Sequence, residues 1–209
     1  MIFTELYGLF RRCLEIPYTR VDNSGDYAVE KIGNTLYIYL EKSNGREDWK
    51  NNIDFPVKAY KDMDGGIWYA HRGFLRVWKS IEPHVSAYIL DPTVESIITV
   101  GYSHGGGLAV LCHEYLWYNR PDIRDNIYGY GFGSPRVIWG IKKEEHGIRW
   151  GNFTVIRNID DVVTHAPPAL FGYFHVGEIL EIGESGKYSG VDAHRPESYL
   201  SELKTLSKA

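Results

Sequence analysis

Residues 96–120, SIITVGYSHGGGLAVLCHEYLWYNR, decide the fold. Ser96–Tyr102 is a short, continuous apolar run, as expected of a parallel strand buried on both faces. From Leu108 the chain reads as a helix to Asn119, stopped by Pro121. Between them lies Gly101-Tyr102-Ser103-His104-Gly105, followed by Gly106 and Gly107. This is a G-x-S-x-G pattern in the strand–turn–helix setting of a nucleophile elbow. The serine backbone in such an elbow is strained, and its neighbours pack against the turn without room for a Cβ. The turn lifts Ser103 Oγ above the sheet, and the helix N-terminus behind it favours nearby negative charge. A phosphate-binding reading of the same glycines fails. No Lys-Ser/Thr follows Gly107, and Gly129, Gly131 and Gly133 are spaced G-x-G-x-G. The bland alternative is a glycine-rich turn that packs a helix on a strand.

Outward from this unit, TLYIYL (35–40), IYGYGFG (127–133), FTVIRN (153–158) and YFHVGEILEI (173–182) have strand composition. Phe74, Trp78, Ile81, Val85 and Tyr88 step by four and three, giving a helical face from residue 71 onward. Residues 1–16, ended by Pro17, and 194–206 (HRPESYLSELKTL) read as amphipathic helices. Strands alternating with helices imply an α/β fold with a mainly parallel sheet. No repeat or low-complexity linker divides residues 1–209, which read as a single domain.

Composition narrows the function. The 209 residues carry a formal charge of −4, so there is no basic excess for nucleic acid. Nowhere do eighteen apolar residues run together, which excludes stable membrane insertion. Two cysteines, Cys13 and Cys112, cannot build a disulfide framework. Neither C-x-x-C nor H-E-x-x-H occurs, so no zinc site is expected, and the serine chemistry read below calls for no metal or cofactor. The N-terminus carries Glu5 and places Arg11-Arg12 after its apolar residues, the wrong order for a signal peptide. That order predicts a cytoplasmic protein.

A serine needs a base to take its proton, and the base needs a carboxylate to fix its tautomer. On this kind of sheet the chain order is Ser, then Asp or Glu, then His. Among downstream histidines, His104 adjoins the serine, His113 lies more than two turns down the helix, and His146 sits in a charged stretch. His175 falls in a strand pattern, whereas His194 follows a loop and opens the last helix, the place for the base. For the acid, FTVIRN runs directly into Asp160 and Asp161.

The ordered blocks resemble the class-three lipases, the α/β-hydrolase family of the fungal triacylglycerol lipases. His71-Arg72-Gly73-Phe74 is similar to an H-x-G-F block, GYSHGGGLA to the family elbow, and Phe132-Gly133-Ser134-Pro135-Arg136-Val137 to G-x-P-R-V. Asn158 to Val163 with Pro167-Pro168 resembles N-x-x-D-x-V…PP, and Asp192-Ala193-His194 resembles D-x-H. The resemblance implies an α/β-hydrolase fold and a catalytic triad of Ser103, Asp161 and His194, with His175 structural. It implies an oxyanion hole from the His104 N–H and from Ser43, although Glu41-Lys42 replace the usual Arg-Gly. The implied activity is hydrolysis of a small-molecule or lipid ester. A phospholipase, thioesterase or acyltransferase would use the same triad, and a non-catalytic lipid-binding protein the same fold. Trp49, Tyr102, Leu170 and Phe171 are the expected substrate contacts. Residues 44–52, where the family carries its lid, offer only Trp49 as a large apolar residue, so short or medium acyl chains are expected.

Overall fold

The computed structural model describes residues 3–21, 25–41, 57–61, 67–140 and 147–208. In chain order these form helix α1 (Phe3–Glu15) and strands β1 (Thr19–Val21), β2 (Gly25–Ile32), β3 (Thr35–Leu40), β4 (Val57–Lys61) and β5 (Ile67–His71). Helix α2 (Arg72–Ile89), strand β6 (Ser96–Tyr102), helix α3 (His104–Asn119) and strands β7 (Ile127–Phe132), β8 (Ile138–Trp139) and β9 (Phe153–Asn158) follow. Strands β10 (Tyr173–Phe174) and β11 (Glu178–Ile182) lead to helix α4 (Pro196–Leu206).

The main sheet runs β1-β2-β3-β6-β7-β9-β11. From β3 to β11 every neighbouring pair is parallel, and β1 and β2 add an antiparallel edge. The apolar runs at 35–40, 96–102 and 153–158 become strands with those limits, because a central parallel strand is buried on both faces and reads as one unbroken run. The β2 strand, GDYAVEKI, mixes charges with apolar residues and gives no such signal; it forms by antiparallel pairing with β3 on one side and β1 on the other. YFHVGEILEI is not one strand. Gly177 takes φ +70°, and a Cβ there would lie 2.1 Å from the Phe153 carbonyl oxygen, so the chain turns at that point. Tyr173–Phe174 pairs with β8 in a small antiparallel sheet, β10-β8-β5-β4, while Glu178–Ile182 joins β9 in the main one.

Helices cover both faces of the main sheet. On one side α2 and α3 enclose a core that includes Trp78, Ile81, Leu108, Leu116 and Phe153. On the other, Phe10 of α1 and Tyr199 and Leu203 of α4 pack with Tyr102, Tyr130, Phe132 and Ile156. The parallel strands therefore end together, at Leu40, Tyr102, Phe132, Asn158 and Ile182, and the loops beyond them share one edge of the sheet. In open α/β sheets that carboxyl-terminal edge is where ligands bind.

Candidate active site

Ser103 joins β6 to α3 at φ 56° and ψ −121°, alone among the described non-glycine residues in having a positive φ. That strain persists because the surroundings dictate it. The Ser103 N–H donates to the Phe132 carbonyl at 2.9 Å, and the Gly106 N–H donates to the Ser103 carbonyl at 3.0 Å. A Cβ at Gly101 would lie 2.0 Å from the Gly105 carbonyl oxygen, and one at Gly105 would lie 2.0 Å from the Leu40 carbonyl oxygen. The two outer glycines of the pentapeptide are thus required by backbone contacts across and beside the turn.

The expected base and acid, His194 and Asp161, lie on two later loops. His194 Nε2 lies 2.8 Å from Ser103 Oγ, and His194 Nδ1 lies 2.8 Å from Asp161 Oδ2. With Nδ1 donating to the carboxylate, Nε2 is the acceptor facing the serine hydroxyl. Asp161 is fully buried, and two further donors reach it: the Val163 N–H at 2.9 Å and the Tyr199 hydroxyl at 2.6 Å. Tyr199 in turn accepts the Asn158 N–H at 3.1 Å. Burial, then the neighbouring Asp161 charge, pushes the Tyr199 phenol well above its ordinary range, so it stays a donor. Asp160 faces the other way and accepts the Gly186 N–H at 2.8 Å, pinning the loop that leads to His194.

The remaining histidines separate by environment. His175 Nε2 is 2.8 Å from the Thr164 carbonyl, and burial pushes the ring down to about 4, as it does His113 within α3. His104 stacks on Phe74 with centroids 4.7 Å apart, and burial followed by the nearby His71 lowers it to about 4. Its side chain therefore turns from the serine, while its backbone N–H stands at the first residue of α3. His71 caps α2, its Nδ1 accepting the Gly73 N–H at 3.1 Å.

Three of the expected substrate contacts lie among the described residues. Tyr102 is corrected: it is 3% exposed, stacks on the His194 ring and donates its hydroxyl to the His194 carbonyl, so it lies beneath the base. Leu170 and Phe171 occupy a 3-10 turn, 91% and 58% exposed, on the surface. Arg136 fastens that loop by donating to the His165 and Pro167 carbonyls. Ser43, Trp49 and the 44–52 stretch lie outside the described residues. Among the described residues no three His, Cys, Asp or Glu side chains gather as they would round a metal ion.

The family model for class 3 lipases matches residues 37–171, from β3 through the acid loop to the Phe171 turn. This chain belongs to the class 3 lipase family. A lipase of Rhizomucor miehei is 28% identical over 158 residues, covering 69% of this chain and 40% of that protein. Secreted mono- and diacylglycerol lipase 1 of Fusarium solani is 26% identical over 158 residues, covering 71% and 44%. The chain thus matches less than half the length of these curated relatives. The solved Rhizomucor miehei triacylglyceride lipase aligns with a TM-score of 0.68 at 22% identity, covering 87% of this chain and 78% of that one. At that identity the likeness is one of fold, the α/β-hydrolase fold.

The relatives also overturn the expected cytoplasmic location, since the Fusarium solani protein is by its name secreted. The expectation had rested on the order of Glu5 and Arg11-Arg12 in the N-terminal stretch, where Phe3–Glu15 forms α1 with Leu6, Phe10 and Cys13 in the core. Among the described residues, no helix of this class 3 lipase is long and apolar enough to cross a membrane. Reading the sequence missed Tyr199 and Asn158 as supports of the acid. Tyr199 showed only as an apolar-face residue four before Leu203, the spacing of core packing.

Proposed function

We propose that this chain is a carboxylic-ester hydrolase whose nucleophile is Ser103, with His194 as base and Asp161 as its partner. The observation that carries the reading is the unbroken relay of two 2.8 Å contacts, from Ser103 Oγ through His194 to buried Asp161, mounted on a strained elbow. In the first half-reaction Ser103 Oγ attacks the ester carbonyl while His194 Nε2 takes its proton. The buried carboxylate stabilises the imidazolium that forms. Negative charge develops on the carbonyl oxygen at the N-terminus of α3, where the His104 N–H supplies one donor and Ser43 the other. The imidazolium returns its proton to the leaving alcohol, and a water activated by the same base then releases the acid and restores Ser103.

Lipid esters are the substrate class we favour. The named relatives are lipases, and the loops carrying acid and base expose Val162, Val191, Leu170 and Phe171. Short or medium acyl chains fit best, because Trp49 stands among charged and amide residues in NGREDWKNN. Desolvating those charges offsets the roughly 2–3 kcal/mol that burying one tryptophan yields. An extracellular setting follows by analogy with the secreted relative.

The test is labelling by a fluorophosphonate together with turnover of p-nitrophenyl butyrate. Wild type is expected to do both, and Ser103→Ala to fold yet lose roughly 10⁴-fold or more in kcat. A wild-type chain that neither labels nor turns over refutes the reading.

A further inference from the structure

Tyr102 touches the proposed base twice. Its ring is held edge-on by Phe10 at 5.3 Å and by Tyr199 at 6.1 Å between centroids. It also stacks on the His194 imidazole, at 5.3 Å and 25° between planes. At the same time its hydroxyl donates to the His194 backbone carbonyl. The segment that ends in His194 is a run of turns, with the His194 N–H bonded to the Val191 carbonyl at 3.2 Å and the Ala193 carbonyl held by Asn158 Nδ2 at 3.2 Å. Asn158 fixes the residue before the base. Tyr102 reaches the base itself, at main chain and ring together, from the strand that carries the nucleophile.

We propose that Tyr102 is a positioning residue that keeps His194 in register with Ser103 and stabilises its imidazolium during turnover. The proposal rests on the hydrolase reading above. Ser103 and Tyr102 are consecutive, so the hydroxyl tether references the base to the same strand end as the nucleophile. Holding reacting groups to a fraction of an ångström is where much of catalytic rate lies. The ring does a second thing. When Nε2 takes the serine proton, the imidazole becomes a cation lying on an aromatic face, and that face carries the negative side of the ring quadrupole. Among the described residues, the other groups bonded to His194 are Asp161 from the β9 loop, with Tyr199 of α4 behind it, and Ser103 from the turn after β6. On its own loop Asp192 is paired with Arg195 at 2.9 Å and with Ser189 at 2.5 Å. Tyr102→Phe keeps the ring on which Tyr199 packs, so it leaves each of these groups its partners.

The experiment compares Tyr102→Phe, which keeps the ring and loses the tether, with Tyr102→Leu, which loses both. Steady-state kinetics on p-nitrophenyl butyrate are followed from pH 5 to 9, with rates normalised to fluorophosphonate-labelled sites. Tyr102→Phe is expected to lose about five- to ten-fold in kcat with KM within two-fold, and its acid limb stays put. In Tyr102→Leu the imidazolium loses a partner, so the base sheds its proton more readily. Its acid limb therefore moves about half a unit to lower pH, with a further loss in kcat. Variants that melt earlier but keep wild-type kcat per labelled site and an unmoved limb mark a packing residue and overturn the proposal. If Tyr102→Leu fails to fold, the kcat–KM split in Tyr102→Phe decides alone. If wild type has no activity, the hydrolase reading fails separately. The His194 ring protons, shifted upfield by a stacked tyrosine in NMR spectra, then test the contact itself, and their absence from shifted positions overturns it.

Discussion

Gly133→Ala is the most direct probe of how tightly the base and acid are held. Gly133 follows β7 at φ +56°, and a Cβ there would stand 3.0 Å from His194 Cε1 and 3.1 Å from Asp161 Oδ2. Two effects follow. An alanine in the left-handed region costs about 1–2 kcal/mol. The methyl also arrives about 0.3–0.4 Å inside ordinary contact with both partners, and neither has slack. Asp161 is gripped by the Val163 N–H and the Tyr199 hydroxyl, and His194 is backed by the Tyr102 ring. Since a misplacement of about 1 Å can cost about a hundred-fold, we expect a loss of about ten-fold in kcat with KM little changed. Gly33→Ala is the control: it too has positive φ, at +59°, but nothing lies within 4 Å of its added Cβ. It is expected to lose the same 1–2 kcal/mol or so, about 3–6 °C in Tm, with kcat untouched. Ester kinetics beside calorimetry on both variants checks the argument. Equal kcat in the two variants, or a Gly133→Ala defect confined to KM, refutes it.

The neighbouring aspartates are expected to part company: Asp161→Asn loses about 10³–10⁴ in kcat by spoiling the histidine tautomer, whereas Asp160→Asn only loosens the Gly186 loop. Steady-state kinetics on the pair decides, and a larger loss at Asp160 moves the acid by one residue. Stability should fall on the acid side, because His113 and His175 are held down to about 4 by burial while the unfolded chain takes up protons near 6.5. Their contribution is complete above that value and is lost as pH drops toward 4, amounting to about 2 kcal/mol apiece between pH 7 and 5. Urea melts at pH 7, 6 and 5 check it, and a flat midpoint contradicts the burial argument. Finally, rate against tributyrin concentration should rise smoothly through the solubility limit; a jump when the emulsion forms would show that the surface bearing Leu170 and Phe171 acts as a lipid-adsorbing face.

The elbow was legible because backbone crowding writes itself into sequence: no residue but glycine clears the Leu40 carbonyl at position 105 or the Gly105 carbonyl at position 101. Central strands were legible for a related reason, since burial on both faces leaves an unbroken apolar run. Strand β2 was not, for it is partly exposed and defined by its neighbours β1 and β3. Choosing Asp161 over Asp160 took the resemblance to a family. The residues alone offer two carboxylates, and what distinguishes them is that Asp161 meets His194 and Tyr199 whereas Asp160 meets the Gly186 N–H. Tyr102 and Tyr199 were opaque as supports because a tyrosine that packs and a tyrosine that also donates one hydrogen bond have the same hydropathy. Only the coordinates of the partner separate them.

The supports share one physical logic. Asp161, Asn158, Tyr199 and Tyr102 are all buried, whereas the His194 side chain keeps 17% of its surface open. Solvent and substrate thus reach the base, and the acid stays in a medium where its field is weakly screened. A buried carboxylate needs compensation, and a guanidinium beside it would be the strongest. The hydrogen bonds observed instead come from a backbone N–H, a phenol and the imidazole itself. Neutral donors satisfy the lone pairs without cancelling the charge. In the proposed mechanism its attraction is then left for the imidazolium that forms when Ser103 gives up its proton, which is the moment in the cycle when a nearby negative charge lowers the barrier.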